Sequence, residues 1–109
     1  MNFYIGNTIE DLKINDRSVE FSDDLLEYLN KNKRIFGLEE FVLQEIDPYD
    51  DTVIDNSELQ QWLSMCDSIV SSNILEQYED LDETRNVEEL IALINEALNN
   101  NLNLIVIGD

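Results

Sequence analysis

The chain has 109 residues and a formal net charge of −19, from 25 acidic and 6 basic side chains, with no histidine and one cysteine. That length makes one domain, 1–109, and 43% apolar residues supply one modest core. The charge excludes nucleic acid as a direct ligand and disfavours anionic membranes, since both need Lys and Arg, and it favours a basic protein partner steered in from a distance.

The N-terminal stretch MNFYIGNTIEDLK lacks a basic n-region and a long apolar run, so no signal peptide is expected. A first short strand is expected at residues 2–5 and a second at 19–21, joined by a polar connection. Ser22 is placed to cap a helix, with Asp23 and Asp24 at the positive end of its dipole. Phe21 and Leu26 stand at staple positions, and Leu25, Leu26 and Leu29 form the buried stripe. That helix should end near KNKR (31–34), and Gly37 breaks the chain.

FVLQEI (41–46) reads as a buried strand, and Pro48 forbids regular strand beyond it. From Asn56 the period changes. Leu59, Trp62, Leu63, Cys66, Ile69 and Val70 recur at helical spacing, and Asp55 with Glu58 resembles a capping box. Residues 71–84 read equally as a short helix or an acidic loop. Asn86 with Glu89 repeats the cap spacing before a helix carrying Leu90, Ile91, Leu93, Ile94, Ala97 and Leu98. NNN (99–101) ends it. LNLIVIGD (102–109) is apolar enough for a central strand covered on both faces. The order β-β-α-β-α-α-β predicts an α+β fold, with helices packed on a small mixed β-sheet.

The stretch EIDPYDDTVIDNSEL (45–59) holds six acids and no base. Counted as an EF-hand loop from Asp47, positions 1, 5, 8, 9 and 12 match as Asp47, Asp51, Ile54, Asp55 and Glu58. Position 3 is Tyr49, a poor ligand, and position 6 is Thr52 where Gly is needed. Two defining positions fail, and a strand precedes the loop where a helix should. A calcium-binding protein with a degenerate acidic loop is kept as an alternative; no metal and no cofactor is expected. The absence of histidine removes the commonest general base, and no nucleophile–base pair is evident. Cys66 lies on an apolar stripe beside Trp62 and Leu63, which suits a buried hydrophobe better than a reactive thiol. No enzymatic activity is expected.

From residue 35 to residue 84 there are 14 acids and no Lys or Arg. A surface tuned for solubility alone interleaves both signs, and fifty residues of one sign repel one another. A cationic partner explains why that cost persists; a solvated face is the plain alternative. Tyr49, ringed by carboxylates, is a candidate contact for Arg or Lys. Trp62 is read as core.

IDPYDDTV (46–53), the following helix with Leu59, Trp62 and Leu63, and the closing IGD (107–109) resemble small acidic bacterial immunity proteins of polymorphic or contact-dependent toxin systems. The likeness covers the second half of the chain. It implies a cytoplasmic inhibitor that neutralises one cognate toxin; many such toxins are nucleases with basic clefts. With the charge, it places Asp47, Tyr49, Asp50, Asp51, Asp55 and Glu58 on the contact surface, with Glu76, Glu79, Asp80, Asp82 and Glu83 as a second part. The motif is equally open to a structural reading in which Asp47 and Asp50 cap a turn and Asp55 a helix. A DNA-mimic inhibitor of a nucleic-acid-binding protein carries the same charge and also stays open. The oligomeric state is not legible.

Overall fold

Residues 1–12, 17–32 and 50–108 are described by the structure, a computed structural model. The expected strand at 41–46, the break at Gly37, Pro48, and the candidate residues Asp47 and Tyr49 lie outside the described residues. Among those described, four strands and three α-helices follow the order β1 (Asn2–Gly6), β2 (Val19–Glu20), α1 (Asp23–Lys31), β3 (Thr52–Ile54), α2 (Leu59–Ser71), α3 (Leu81–Asn99) and β4 (Asn103–Ile107). The architecture is α+β.

The strands form one sheet in the order β2-β1-β4-β3. A mixed sheet is the sequence expectation; every pairing among the described strands is antiparallel. The connection between β3 and β4 explains the difference. A single crossover helix would return the chain in parallel, but α2 and α3 run out and back, so β4 leaves from the end where β3 arrived. The register sets Asn2 opposite Ile107 and Gly6 opposite Asn103. Thr52 faces Val106 and Ile54 faces Leu104.

Alternation along the strands sends Phe3, Val19, Ile54, Leu104 and Val106 into one core beneath the helices. Phe3 stands edge-on to Phe21 at 5.1 Å and to Trp62 at 6.1 Å. α2 contributes Leu59, Trp62, Met65, Cys66 and Ile69, and α3 contributes Val87, Leu90, Leu93, Ile94 and Ala97. Trp62 is therefore a core residue, as its spacing predicts. In β4, Leu104, Ile105 and Val106 are all fully buried, although Ile105 points to the sheet's reverse face. The central, doubly covered position expected for this strand is thus what it occupies. Gly6 suits the close packing of that reverse face, where a Cβ would stand 3.3 Å from the Ile105 Cδ1 and require it to shift by a few tenths of an ångström.

Helix ends follow local chemistry. Ser22 accepts from the Leu25 amide and starts α1. α3 starts five residues before the expected cap at Asn86, because Asp80 accepts from the amides of Asp82 and Glu83. The ambiguous 71–84 stretch divides into a 3-10 turn, Ile74–Gln77, and the first turn of α3. Asn101 adopts a left-handed φ of 55°, and the Leu102 amide returns to the Ala97 carbonyl at 2.9 Å, closing α3 with a Schellman turn.

Candidate functional site

The acids singled out in the sequence separate into two groups at opposite ends of the sheet. Asp50 and Asp51 precede Thr52, which pairs with Val106, so they lie at the end marked by Asn2 and Ile107. Asp55 and Glu58 follow Ile54 and lie at the other end, where Asn56 donates to the carbonyls of Leu102 and Ala97. The three residues of β3 separate Asp51 from Asp55, four steps of extended chain or about 13 Å. β3 thus runs between the Asp50–Asp51 pair and Asp55 with Glu58.

Several of these carboxylates serve the backbone. Asp50 accepts from the Asp51 amide at 2.8 Å, and Asp51 accepts from the Gly108 amide at 3.1 Å. Asp55 accepts from the Ser57 amide at 2.9 Å and caps the 3-10 turn Asn56–Glu58. That amide, followed by the Ser57 side chain, holds the Asp55 carboxyl below its ordinary value of 3.8. The structural role open to Asp55 in the sequence is the one it fills. The capping box with Glu58 does not form, since Glu58 makes no side-chain bond to the turn.

The second acidic group gathers at the Ile107 end. α2 runs toward that end and α3 begins there; the Asn86 side chain on α3 donates to the Glu20 carbonyl of β2, whose register partner is Asn2. α1 begins at the same end, where the Phe21 amide bonds the Met1 carbonyl. Two helix N-termini thus converge, with Asp23, Asp24, Asp82 and Glu83 in their first turns and Asp80 capping α3.

Between α1, the 3-10 turn Ile74–Gln77 and α3 lies a cleft of about 450 Å³ lined by Asp24, Tyr28, Tyr78, Glu79, Asp80 and Glu83. The two tyrosine rings sit 4.8 Å apart, tilted by 48°. The Tyr28 hydroxyl donates to the Ile74 carbonyl at 2.6 Å, and the Tyr78 hydroxyl donates to Glu83 Oε2 at 2.7 Å. Desolvation, and then the hydrogen bond its hydroxyl donates to the Glu83 carboxylate, push the Tyr78 phenol up to about 12. Both hydroxyls are therefore fixed, and the rings hold their places.

Of the sequence-predicted contact residues, Glu79, Asp80 and Glu83 line this cleft. Glu76 lies on the adjoining 3-10 turn, and Asp82 is exposed 3.9 Å from Arg85. Sequence reasoning missed Asp24, Tyr28 and Tyr78. Asp24 had a sufficient explanation in the helix dipole. Tyr78 carried a signal, because QYED (77–80) is as much an aromatic set among acids as the stretch around Tyr49. Tyr28 carried none, since its partner is 50 residues away.

Elsewhere the chemistry is quiet. Burial pushes the Cys66 thiol up to about 12, which keeps it protonated and unreactive. Among the described residues no three acids or thiols are grouped to hold a metal ion, and no helix is long and apolar enough to cross a membrane. Fold and site together define the chain as an acidic α+β domain with a carboxylate- and tyrosine-lined cleft at one end. No protein-family model, curated protein or solved structure matches the chain.

Proposed function

We propose that this chain is an immunity protein: a cytoplasmic inhibitor that binds a cognate toxin through the acidic end of the domain. The sequence resemblance of IDPYDDTV and the closing IGD to such proteins supplies the class, and the charge supplies the mode of binding. One observation carries the reading. The three described bases each stand beside a carboxylate, Arg17 with Glu96, Lys31 with Glu27 and Arg85 with Asp82. Asp24, Asp50, Asp51, Glu76, Glu79 and Asp80, all exposed at one end, have no Lys or Arg within ion-pair distance among the described residues.

A basic surface, such as the phosphate-holding cleft of a nuclease, complements that end. Docking there places its cations against carboxylates that otherwise repel one another. Association is then fast and weakened by salt.

The test is co-expression with the neighbouring reading frame, expected to be a growth-inhibiting toxin. Growth is restored by this chain, and capture of the toxin falls at least about tenfold as salt rises from roughly 0.05 to 0.5 M. Asp50→Lys with Glu76→Lys, both at the acidic end but outside the cleft, lowers the on-rate. A neighbour that does not inhibit growth, or salt-independent capture, removes the proposal.

A further inference from the structure

We infer that the cleft between α1 and α3 receives one arginine side chain projecting from the partner protein, its guanidinium lying against the Tyr28 and Tyr78 rings and its N–H fork meeting the surrounding carboxylates. This deepens the inhibitor reading and rests on it: it names the group that docks and where.

Three features of the cleft select that group. The first is the ring pair. Tyr28 and Tyr78 lie 4.8 Å apart, and their hydroxyls are already engaged with the Ile74 carbonyl and Glu83. What the tyrosines still offer an incoming group is the ring surface that lines the cleft, and the face of such a ring attracts a cation. The second is the wall. Asp24, Glu79, Asp80 and Glu83 surround the rings, and no described Lys or Arg lies within 4.0 Å of them. Asp80 spends Oδ1 on the amides that start α3, and Glu83 spends one oxygen on Tyr78; Asp24 and Glu79 make no such bond. The third is the opening. Asp24, Glu79 and Asp80 are exposed, so the cleft admits a side chain from outside but does not enclose a small molecule as ligand pockets do.

Arginine fits better than the other cations. A metal ion needs grouped oxygen ligands, and no such group occurs among the described residues. Lysine is a strongly hydrated point charge that cannot stack. The guanidinium is planar, weakly hydrated and forked, so it lies on a ring and bonds two carboxylates at once.

The experiment is an NMR titration of the full chain with a blocked pentapeptide bearing one central arginine. Its lysine counterpart and free arginine are parallel arms. Shifts centred on Tyr28, Tyr78 and residues 79–83, with upfield movement of the arginine side-chain protons, are expected. The lysine peptide should bind at least about threefold more weakly. Asp24→Asn with Glu79→Gln should weaken the arginine peptide about tenfold. Glu10→Gln with Glu96→Gln removes the same charge at the opposite end of the sheet and should change binding by less than about twofold.

Shifts spread over the acidic surface without the tyrosine rings overturn the cleft, as does an equal loss in both pairs of variants. Free arginine binding as tightly as the peptide makes the cleft a small-molecule site and overturns the partner assignment. The two proposals fail separately. Toxin captured with undiminished affinity by the cleft variants overturns the arginine site alone. A harmless neighbour, with the arginine peptide still seated in the cleft against the rings, overturns the immunity reading alone.

Discussion

Some described carboxylates are occupied by backbone amides and others make no such bond, and the distinction decides what their loss does. Asp80 is occupied, accepting from two amides at the start of α3. Asp80→Ala should lower stability in urea denaturation by about 1 kcal/mol. Asp80→Asn should leave it nearly unchanged, because the amide oxygen still accepts, while removing one charge from the cleft. Equal losses for both variants would show that charge and not capping is what matters there. Asp55 is occupied in the same way. Its lowered carboxyl value means that the contribution of this cap is present at neutral pH and is lost as acidification passes through that value, below about 3.8. Glu79 and Asp24 hold no amide, so their removal should alter binding and spare the fold.

Among the elements, the joint between α3 and β4 is held by its backbone. Asn101 takes a left-handed backbone that a Cβ-bearing residue other than Asn rarely adopts, and the Schellman bond from Leu102 depends on it. Asn101→Ala should lower stability by about 1–2 kcal/mol in urea denaturation, and Asn101→Gly should not. NNN (99–101) announced that stop in the sequence, and the Ser22 cap and the apolar periods of α2 and α3 were equally legible, because each depends on neighbours within a turn or two. β3 was not. Its three residues, Thr52–Ile54, are two β-branched residues around a third, but their partner strand lies 50 residues onward, and a run that short gives no period. Missing β3 also left Asp50 and Asp51 undivided from Asp55 and Glu58, which the strand sets at its two ends. The start of α3 was misplaced because Asn86 copies a cap pattern that Asp80 satisfies first. The cleft was legible only in its acids: Glu79, Asp80 and Glu83 are close in sequence, whereas Tyr28 meets Tyr78 only after α1 and the 3-10 turn have packed.

At the scale of the whole molecule, a net charge of −19 works against compactness. Helix N-termini at the Ile107 end offset part of the local repulsion, and screening offsets more. The melting temperature should therefore rise by several degrees between about 0.01 and 0.3 M sodium chloride, followed by circular dichroism. A flat or falling response would mean that the acids are too well spaced to repel. The same measurement with Asp24→Asn and Glu79→Gln should start from a higher melting temperature and respond less to salt.

The adjacency of β1 and β4 carries a consequence for biogenesis. Residues 2–6 find their main hydrogen-bonding neighbour only in residues 103–107, so the middle of the sheet cannot close on a nascent chain until Ile107 has cleared the ribosome. Closing a loop of that span before any of its contacts are rewarded slows folding. A sheet built this way gains its central pair only once residues 103–107 have been made, so synthesis that stops short of them leaves β1 without its main neighbour.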